Sequence, residues 1–232
     1  MHRIARVLSV ALITSGCVVL LDAGITVLWQ EPVSAAYGTL QQRQAEDQLE
    51  ALEGEFPTAA DLAAVEGVSG NVERARILAG LFKQRVKTGE GIGRITIDRI
   101  GLNSIVVQST DTASLQKGPG HYPTTPFPGQ EKTVGIAGHR TTYLAPFRYI
   151  NEVEDGDIIR LEMPYGGFTY TVEKHEVVDP SDVGIIKPVG YERLVLTACH
   201  PVHSAAQRWA VFARLTRIDS FAPGGTGAWV VP

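Results

Sequence analysis

Cysteine is nearly missing from this chain. Two thiols, Cys17 and Cys199, stand in 232 residues, too few for a disulfide framework or a multi-cysteine zinc site. A surplus of positive charge is also missing. Lys and Arg number 21 against 25 Asp and Glu, a net charge of −4, which argues against a nucleic-acid binder with its basic footprint. Charged residues at 20% and hydrophobic ones at 44% argue against wholesale disorder. There is no internal repeat and no alternation of helix and strand patterns of the Rossmann kind. The glycines of Gly89-Glu90-Gly91-Ile92-Gly93 precede a strand pattern and open no helix, so they read as a linker and not as a phosphate loop.

What is present divides into unlike pieces. Residues 7–29 carry a single charge, Asp22. At about 1.5 Å per residue a helix of that length covers the roughly 30 Å of bilayer hydrocarbon. Arg3 and Arg6 precede it, and Gln30 and Glu31 follow. The positive-inside rule then predicts residues 1–6 as a cytoplasmic tail and everything after Trp29 as exported, with Trp29 at the outer interface. Asp22 falls in the outer third, within reach of water. A cleaved signal peptide is the alternative, with Val33-Ser34-Ala35-Ala36 as its small-residue site, although the apolar run is longer than the usual h-region. Gly16-Cys17 is a poor lipoprotein box, because the apolar run continues well past it. Cys17 therefore belongs in lipid, Cys199 outside, and the two cannot pair.

Residues 30–92 are a stalk, rich from residue 37 in Ala, Glu, Gln and Leu. Leu49, Leu52 and Phe56 recur at helical spacing, and so do Ile77, Leu78, Leu81, Phe82 and Val86. Pro57, Gly67, Gly70 and Asn71 break these helices apart. A spacer between membrane and domain and a helical hairpin packed on the domain both fit.

From residue 93 to 218 the pattern switches to short strands, at 94–100, 104–108, 133–138, 157–163, 168–178, 193–199 and 209–218. Many short β-branched runs punctuated by Gly, Pro, Asn and Asp predict an all-β barrel or sandwich. Residues 219–232, with Pro223-Gly224-Gly225, read as a flexible C-terminal tail.

One exported thiol is a liability unless it is buried or used. Cys199 ends the apolar run Leu194-Val195-Leu196-Thr197-Ala198, a place that holds a nucleophile rigidly yet leaves its sulfur open. His139 ends a second apolar run, Val134-Gly135-Ile136-Ala137-Gly138, and an imidazole there can exchange a proton with a thiol and a leaving amine. Arg208, nine residues after Cys199, opens the last strand, where a guanidinium can steady an oxyanion or hold a substrate backbone. Together the three form a candidate acyl-transfer site. Arg140 and Arg214 are competing arginines, read as a surface charge and a solvated strand position. His200 and His203 flank the thiol, but a Cys-His-x-x-His metal site would lack a fourth ligand. His121 and His175 read as structural, and Tyr122 and Tyr143 as candidates to line a groove.

Gly138-His139-Arg140, the strand ending at Cys199 and the following Arg208 resemble a sortase. Gly118-Pro119-Gly120-His121-Tyr122-Pro123, the Pro128-Gly129 turn and Ala137-Gly138-His139-Arg140-Thr141-Thr142-Tyr143 are most similar to the class E sortases of actinobacteria. The resemblance covers residues 93–218. It implies an eight-stranded sortase-type β-barrel preceded by a transmembrane helix and a helical stalk. It implies a cysteine transpeptidase of the cell membrane that needs no cofactor or metal. In that scheme Cys199 attacks the Thr–Gly bond of a C-terminal sorting signal of the Leu-Ala-x-Thr-Gly kind, His139 protonates the leaving amine, and Arg208 steadies the intermediate. The partners would be secreted proteins bearing that signal, with a peptidoglycan precursor or a pilin amine as acceptor, and no nucleic acid. Thr197, Ala198, Tyr143, Tyr122 and His200 would contact substrate. Two positions depart from the family pattern: Ala198 replaces the threonine usual before the cysteine, and Leu144 follows Thr-Thr-Tyr where class E members often have glycine. A catalytically silent surface barrel that only binds is the alternative function. A papain-like protease is disfavoured, since its cysteine precedes its histidine on an α+β frame.

Overall fold

The computed structural model describes residues 2–28, 32–219 and 228–230. Trp29, Gln30, Glu31 and most of the predicted C-terminal tail lie outside the described residues. Helix α1 (His2–Leu28) contains Arg3–Gly24, 22 residues of mean hydropathy 2.2 with none of that surface buried. It is long and apolar enough to cross a membrane.

Helix α2 (Pro32–Glu55) follows, then the short α3 (Ala59–Ala63) and α4 (Asn71–Lys83). A capping box starts α3: the Thr58 hydroxyl accepts from the Asp61 amide while Asp61 accepts from the Thr58 amide. The buried Asp61 carboxylate also takes two bonds from Arg85 at 2.9 and 3.0 Å.

Of the two readings that fit the stalk, the structure shows the packed one. Leu78, Ala79 and Phe82 of α4 join the main core with Phe56. The Phe82 ring lies 5.3–5.4 Å from those of Phe56, Phe127 and Tyr165, an aromatic cluster that caps the barrel. Ala45 and Leu49 of α2 pack on Ile105 and Val107. The Gln42 side chain stands in for a neighbouring strand. Its amide donates to the Ile105 and Lys117 carbonyls, and its oxygen accepts from the Ile105 amide and the Ser104 hydroxyl. A Cβ at Gly118 would sit 2.2 Å from that amide nitrogen and 2.7 Å from the Ile105 carbonyl oxygen, and the backbone contact makes glycine required there.

The strands are β1 (Gly91–Ile97), β2 (Leu102–Gln108), β3 (Gly120–His121), β4 (Thr133–Ala137), β5 (Ile158–Met163), β6 (Gly166–Val178), β7 (Arg193–His200), β8 (Gln207–Asp219) and β9 (Ala228–Val230), with a one-turn α5 (Thr112–Leu115) after β2. The order β6-β5-β1-β2-β3-β4-β7-β8 closes through a β6–β8 pairing into an eight-stranded barrel, and β9 extends β8. Pairs β2–β3 and β4–β7 are parallel and the rest antiparallel. The expected linker glycines Gly91 and Gly93 are part of β1. There a Cβ would meet the Ala45 carbonyl oxygen at 2.1 Å or Glu162 O at 2.6 Å. They admit α2 and β5 to close approach.

Candidate active site

Strands β4, β7 and β8 lie side by side, and their side chains alternate between the barrel interior and the outer face. In β7, Leu194, Leu196 and Ala198 belong to the main core, while Val195 joins Ala210 and Phe212 of β8 in a separate outer cluster. Thr197 and Cys199 share the parity of Val195. In β8, Val211, Ala213 and Leu215 face the core, which puts Arg208 outside with Ala210. In β4, Val134 and Ile136 face in, so Ala137 and, past the strand end, His139 face out.

Register then aligns the three predicted groups. Cys199 is directly opposite Arg208 in the antiparallel β7–β8 pair. On the other side Ala137 pairs with Thr197 in the parallel β4–β7 pair, and the Gly138 amide donates to the Thr197 carbonyl at 3.0 Å. Two residues further along each chain come His139 and Cys199. With strands about 4.8 Å apart, Cys199 and Arg208 are neighbours across one face, and His139 follows the end of the adjacent β4.

Local sequence fixes this arrangement. A Cβ on Gly138 would lie 2.5 Å from the Phe147 ring, which is fully buried in the core. The Phe147 amide in turn donates to the His139 carbonyl at 3.0 Å. The imidazole Nε2 is buried with no hydrogen-bond partner among the described residues. Burial pulls the His139 pKa below its ordinary value, so the ring is mostly neutral at pH 7 and free to exchange a proton. Arg208 donates from Nη1 to the Ala205 and Gln207 carbonyls at 3.0 and 2.9 Å. Cys199 is half-buried.

The remaining predicted contacts separate. Thr197 and Tyr122 are brought together, their hydroxyls 2.8 Å apart. Gly135 makes the room, since a Cβ there would meet the Tyr122 ring at 2.6 Å. The Tyr143 ring lies 5.3 Å from that of His139. Tyr143, Leu144 and Ala145 all have positive φ, 50°, 66° and 43°, a costly run for residues with a Cβ. Ala198 departs from expectation. It is 2% exposed and part of the core, on the opposite side of β7 from Cys199. The missing threonine hydroxyl at this position is thus a change of the interior. His200 is half-buried with its ring 5.5 Å from Trp209.

Arg140 is the main correction. Read as a surface charge, it is 4% exposed. Its Nη1 donates to the Cys199 carbonyl and to His200 Nδ1, both at 3.2 Å, Nη2 to Asn151 Oδ1, and Nε to the Arg148 carbonyl at 3.4 Å. Parity was the available signal, because Ile136, Gly138 and Arg140 share the inward side. Arg214 instead pairs with Glu173 and lies 3.7 Å over the Tyr191 ring. His121 is buried between Gln108 and the Pro126 carbonyl, and His175 stacks on Trp209.

A closed barrel whose adjacent strand ends bear a thiol, an imidazole and a guanidinium has the layout of a thiol acyl-transfer enzyme, and the sortase domain family matches residues 95–216. The chain belongs to the sortase family and is a sortase-type cysteine transpeptidase. It is 34% identical to Sortase D of Bacillus subtilis over 152 residues, 64% of this chain and 74% of that protein. It is 36% identical to Sortase SrtE1 of Streptomyces coelicolor over 90 residues, 35% of this chain and 26% of that protein. Among solved structures, sortase E of Streptomyces avermitilis is 32% identical with a TM-score of 0.54, covering 60% of this chain and 97% of that one. Sortase D5 of Clostridium perfringens, at 22% identity and a TM-score of 0.58 over 75% of this chain and 98% of that one, shares the fold.

Proposed function

We propose that Cys199 is the nucleophile of this transpeptidase, acting on the Thr–Gly bond of a C-terminal sorting signal of the Leu-Ala-x-Thr-Gly kind. The neutral His139 takes the Cys199 thiol proton as the sulfur attacks the threonine carbonyl and a C–S bond forms, and the C–N bond to glycine breaks as His139 passes that proton to the leaving amine. A second amine then attacks the thioester, its nitrogen takes the acyl group, and the thiol is released. Arg208 holds the substrate backbone or the oxyanion. Both of its loop bonds use Nη1, which leaves the N–H groups of Nε and Nη2 for that task. Tyr122, Thr197 and Tyr143 line the face that the peptide occupies.

The observation that carries this reading is the direct Cys199–Arg208 pairing, with His139 two residues past Ala137, the last paired residue of the flanking β4. The α1 helix would cross the membrane with Arg3 and Arg6 in the cytoplasm and the barrel outside. The substrates are then secreted proteins bearing the signal, and the acceptor is an amine of a peptidoglycan precursor or of a pilin. The motifs around Gly120 and His139 favour the class E specificity.

The test is incubation of the full chain in detergent with a Leu-Ala-x-Thr-Gly peptide and hydroxylamine. The expected result is peptide hydroxamate that disappears in Cys199→Ala. Hydroxamate that persists in Cys199→Ala refutes the nucleophile assignment. Failure of any sorting peptide to form a thioacyl adduct on the folded protein would identify a silent binding barrel.

A further inference from the structure

The parallel ladder between β4 and β7 ends early. Thr197 O accepts from the Gly138 amide, and the next β7 carbonyl on the same side is that of Cys199, two residues on. Had β4 continued, the Arg140 amide would have met it. The chain turns away after Gly138, and the Arg140 guanidinium bonds that carbonyl. The same group reaches His200 Nδ1, Asn151 and the Arg148 carbonyl. No carboxylate pairs with it among the described residues, so this buried cation is held by neutral acceptors alone, a costly choice where charge is out of water.

We propose that Arg140 is the positioning residue of the nucleophile: its side chain replaces the missing strand at the end of β4 and fixes the Cys199 backbone. The proposal rests on Cys199 being the nucleophile. A guanidinium fork can serve four acceptors at once, whereas an ammonium on a flexible stem cannot. The bond to His200 also sets a tautomer. Arg140 can only donate, so Nδ1 accepts and the proton of the neutral ring is on Nε2. The charged or titratable groups around this cluster are His139 and Arg148 on the β4 loop, Cys199 and His200 on β7, and Arg208 on β8.

The experiment compares wild type, Arg140→Ala and Arg140→Lys in the hydroxylamine transfer assay, with kcat and KM separated. A displaced nucleophile lowers kcat by roughly 30- to 100-fold, since about 1 Å of misplacement costs that order, and leaves KM within a few-fold because Arg140 touches no substrate. Arg140→Lys keeps the charge and fails to rescue kcat. Millimolar ethylguanidinium, filling the Arg140→Ala space, restores part of kcat, which a purely structural loss would not allow. A folded Arg140→Ala with near wild-type kcat overturns the proposal, and so does full rescue by lysine. If Arg140→Ala does not fold, Arg140→Lys and the imidazole nitrogen spectrum of wild-type His200 decide. A protonated Nδ1 at neutral pH overturns the proposed bond. Loss of transfer in Cys199→Ala with full transfer in Arg140→Ala refutes only the Arg140 role. Transfer surviving in Cys199→Ala refutes the nucleophile itself, and the His200 spectrum still reports on the Arg140 bond.

Discussion

Glu192 immediately precedes β7, the strand that carries Cys199, and its burial makes the stability of the barrel depend on pH. The residue is 6% exposed. Its carboxyl accepts from the Gly129 and Glu131 amides at 2.9–3.0 Å and from the Tyr170 hydroxyl at 2.7 Å. Those three donors favour the anion, but loss of water outweighs them, and the pKa is raised from 4.5 to about 7. An acid that holds its proton more tightly in the fold stabilises it below the unfolded value and loses that contribution as pH rises through the folded value. At about 1.4 kcal/mol per unit, Glu192 removes about 3 kcal/mol between pH 4.5 and 7. His121 works in the opposite direction. Burial lowers its pKa from 6.5 to about 4, so its share is intact above 6.5 and is lost as pH falls towards 4. The two slopes nearly cancel between pH 4.5 and 6.5. Glu192→Gln lifts the cancellation. Against the protonated acid, the amide that turns an N–H₂ towards donors costs about 1–3 kcal/mol, and it leaves the His121 slope exposed. Urea unfolding of both proteins at several pH values between 4.5 and 7.5, followed by tryptophan fluorescence, gives the difference curve. Wild-type stability minus that of Glu192→Gln should fall by about 3 kcal/mol across this window. A difference independent of pH would show that Glu192 titrates as an ordinary carboxyl and would refute the argument.

Two glycines give further tests. Gly138→Ala forces a methyl to 2.5 Å from the Phe147 ring; it should cost about 1–3 kcal/mol in urea melts and lower transfer activity further, because Phe147 anchors His139. Unchanged kcat would mean that the histidine does not depend on this contact. Gly38 in α2 approaches the loop beside His139, where a Cβ would meet Leu144 Cγ at 3.0 Å and the Tyr143 carbonyl carbon at 3.1 Å, and the Tyr37 and Tyr143 rings lie 6.3 Å apart. Gly38→Val should lower kcat severalfold with the thermal melt shifted by only a few degrees. A wild-type kcat would show that α2 exerts no pressure on the loop that carries Tyr143.

Most of the barrel was legible because its strands bury one face at a time. In β5, Ile159, Leu161 and Met163 are buried while Arg160 and Glu162 are exposed, the period-2 pattern that sequence shows directly. β7 was legible for the opposite reason: covered on both faces, it reads as an unbroken apolar run up to the thiol. Strand β3 was not legible. Two residues, Gly120 and His121, bridge β2 and β4 through backbone bonds, and such bonds leave no mark in side-chain periodicity. The docking of α2 was hidden for a similar reason, since Gln42 pairs with backbone on β2 as a strand would, and a glutamine on a helix gives no sign of that.

The candidate site shows the same division with a functional consequence. Cysteine, histidine and arginine at the ends of strand patterns are noticed as a set because together they can carry acyl transfer. The group beneath them is a charged residue in a polar loop, and charge is expected outside. Continuing the alternation one step past the strand places Arg140 inward with Ile136 and Gly138, where only its hydrogen-bonding capacity can make it tolerable. The reason to bury it lies in the turn that follows Gly138. If β4 ran on to satisfy Cys199 with its own backbone, the strand would carry the chain straight ahead, and the 139–146 turn that sets Tyr143 against His139 could not form. A side chain that makes the strand's bond lets the backbone leave, so the price of one buried cation is a turn at the end of β4 with Cys199 still tied to the barrel.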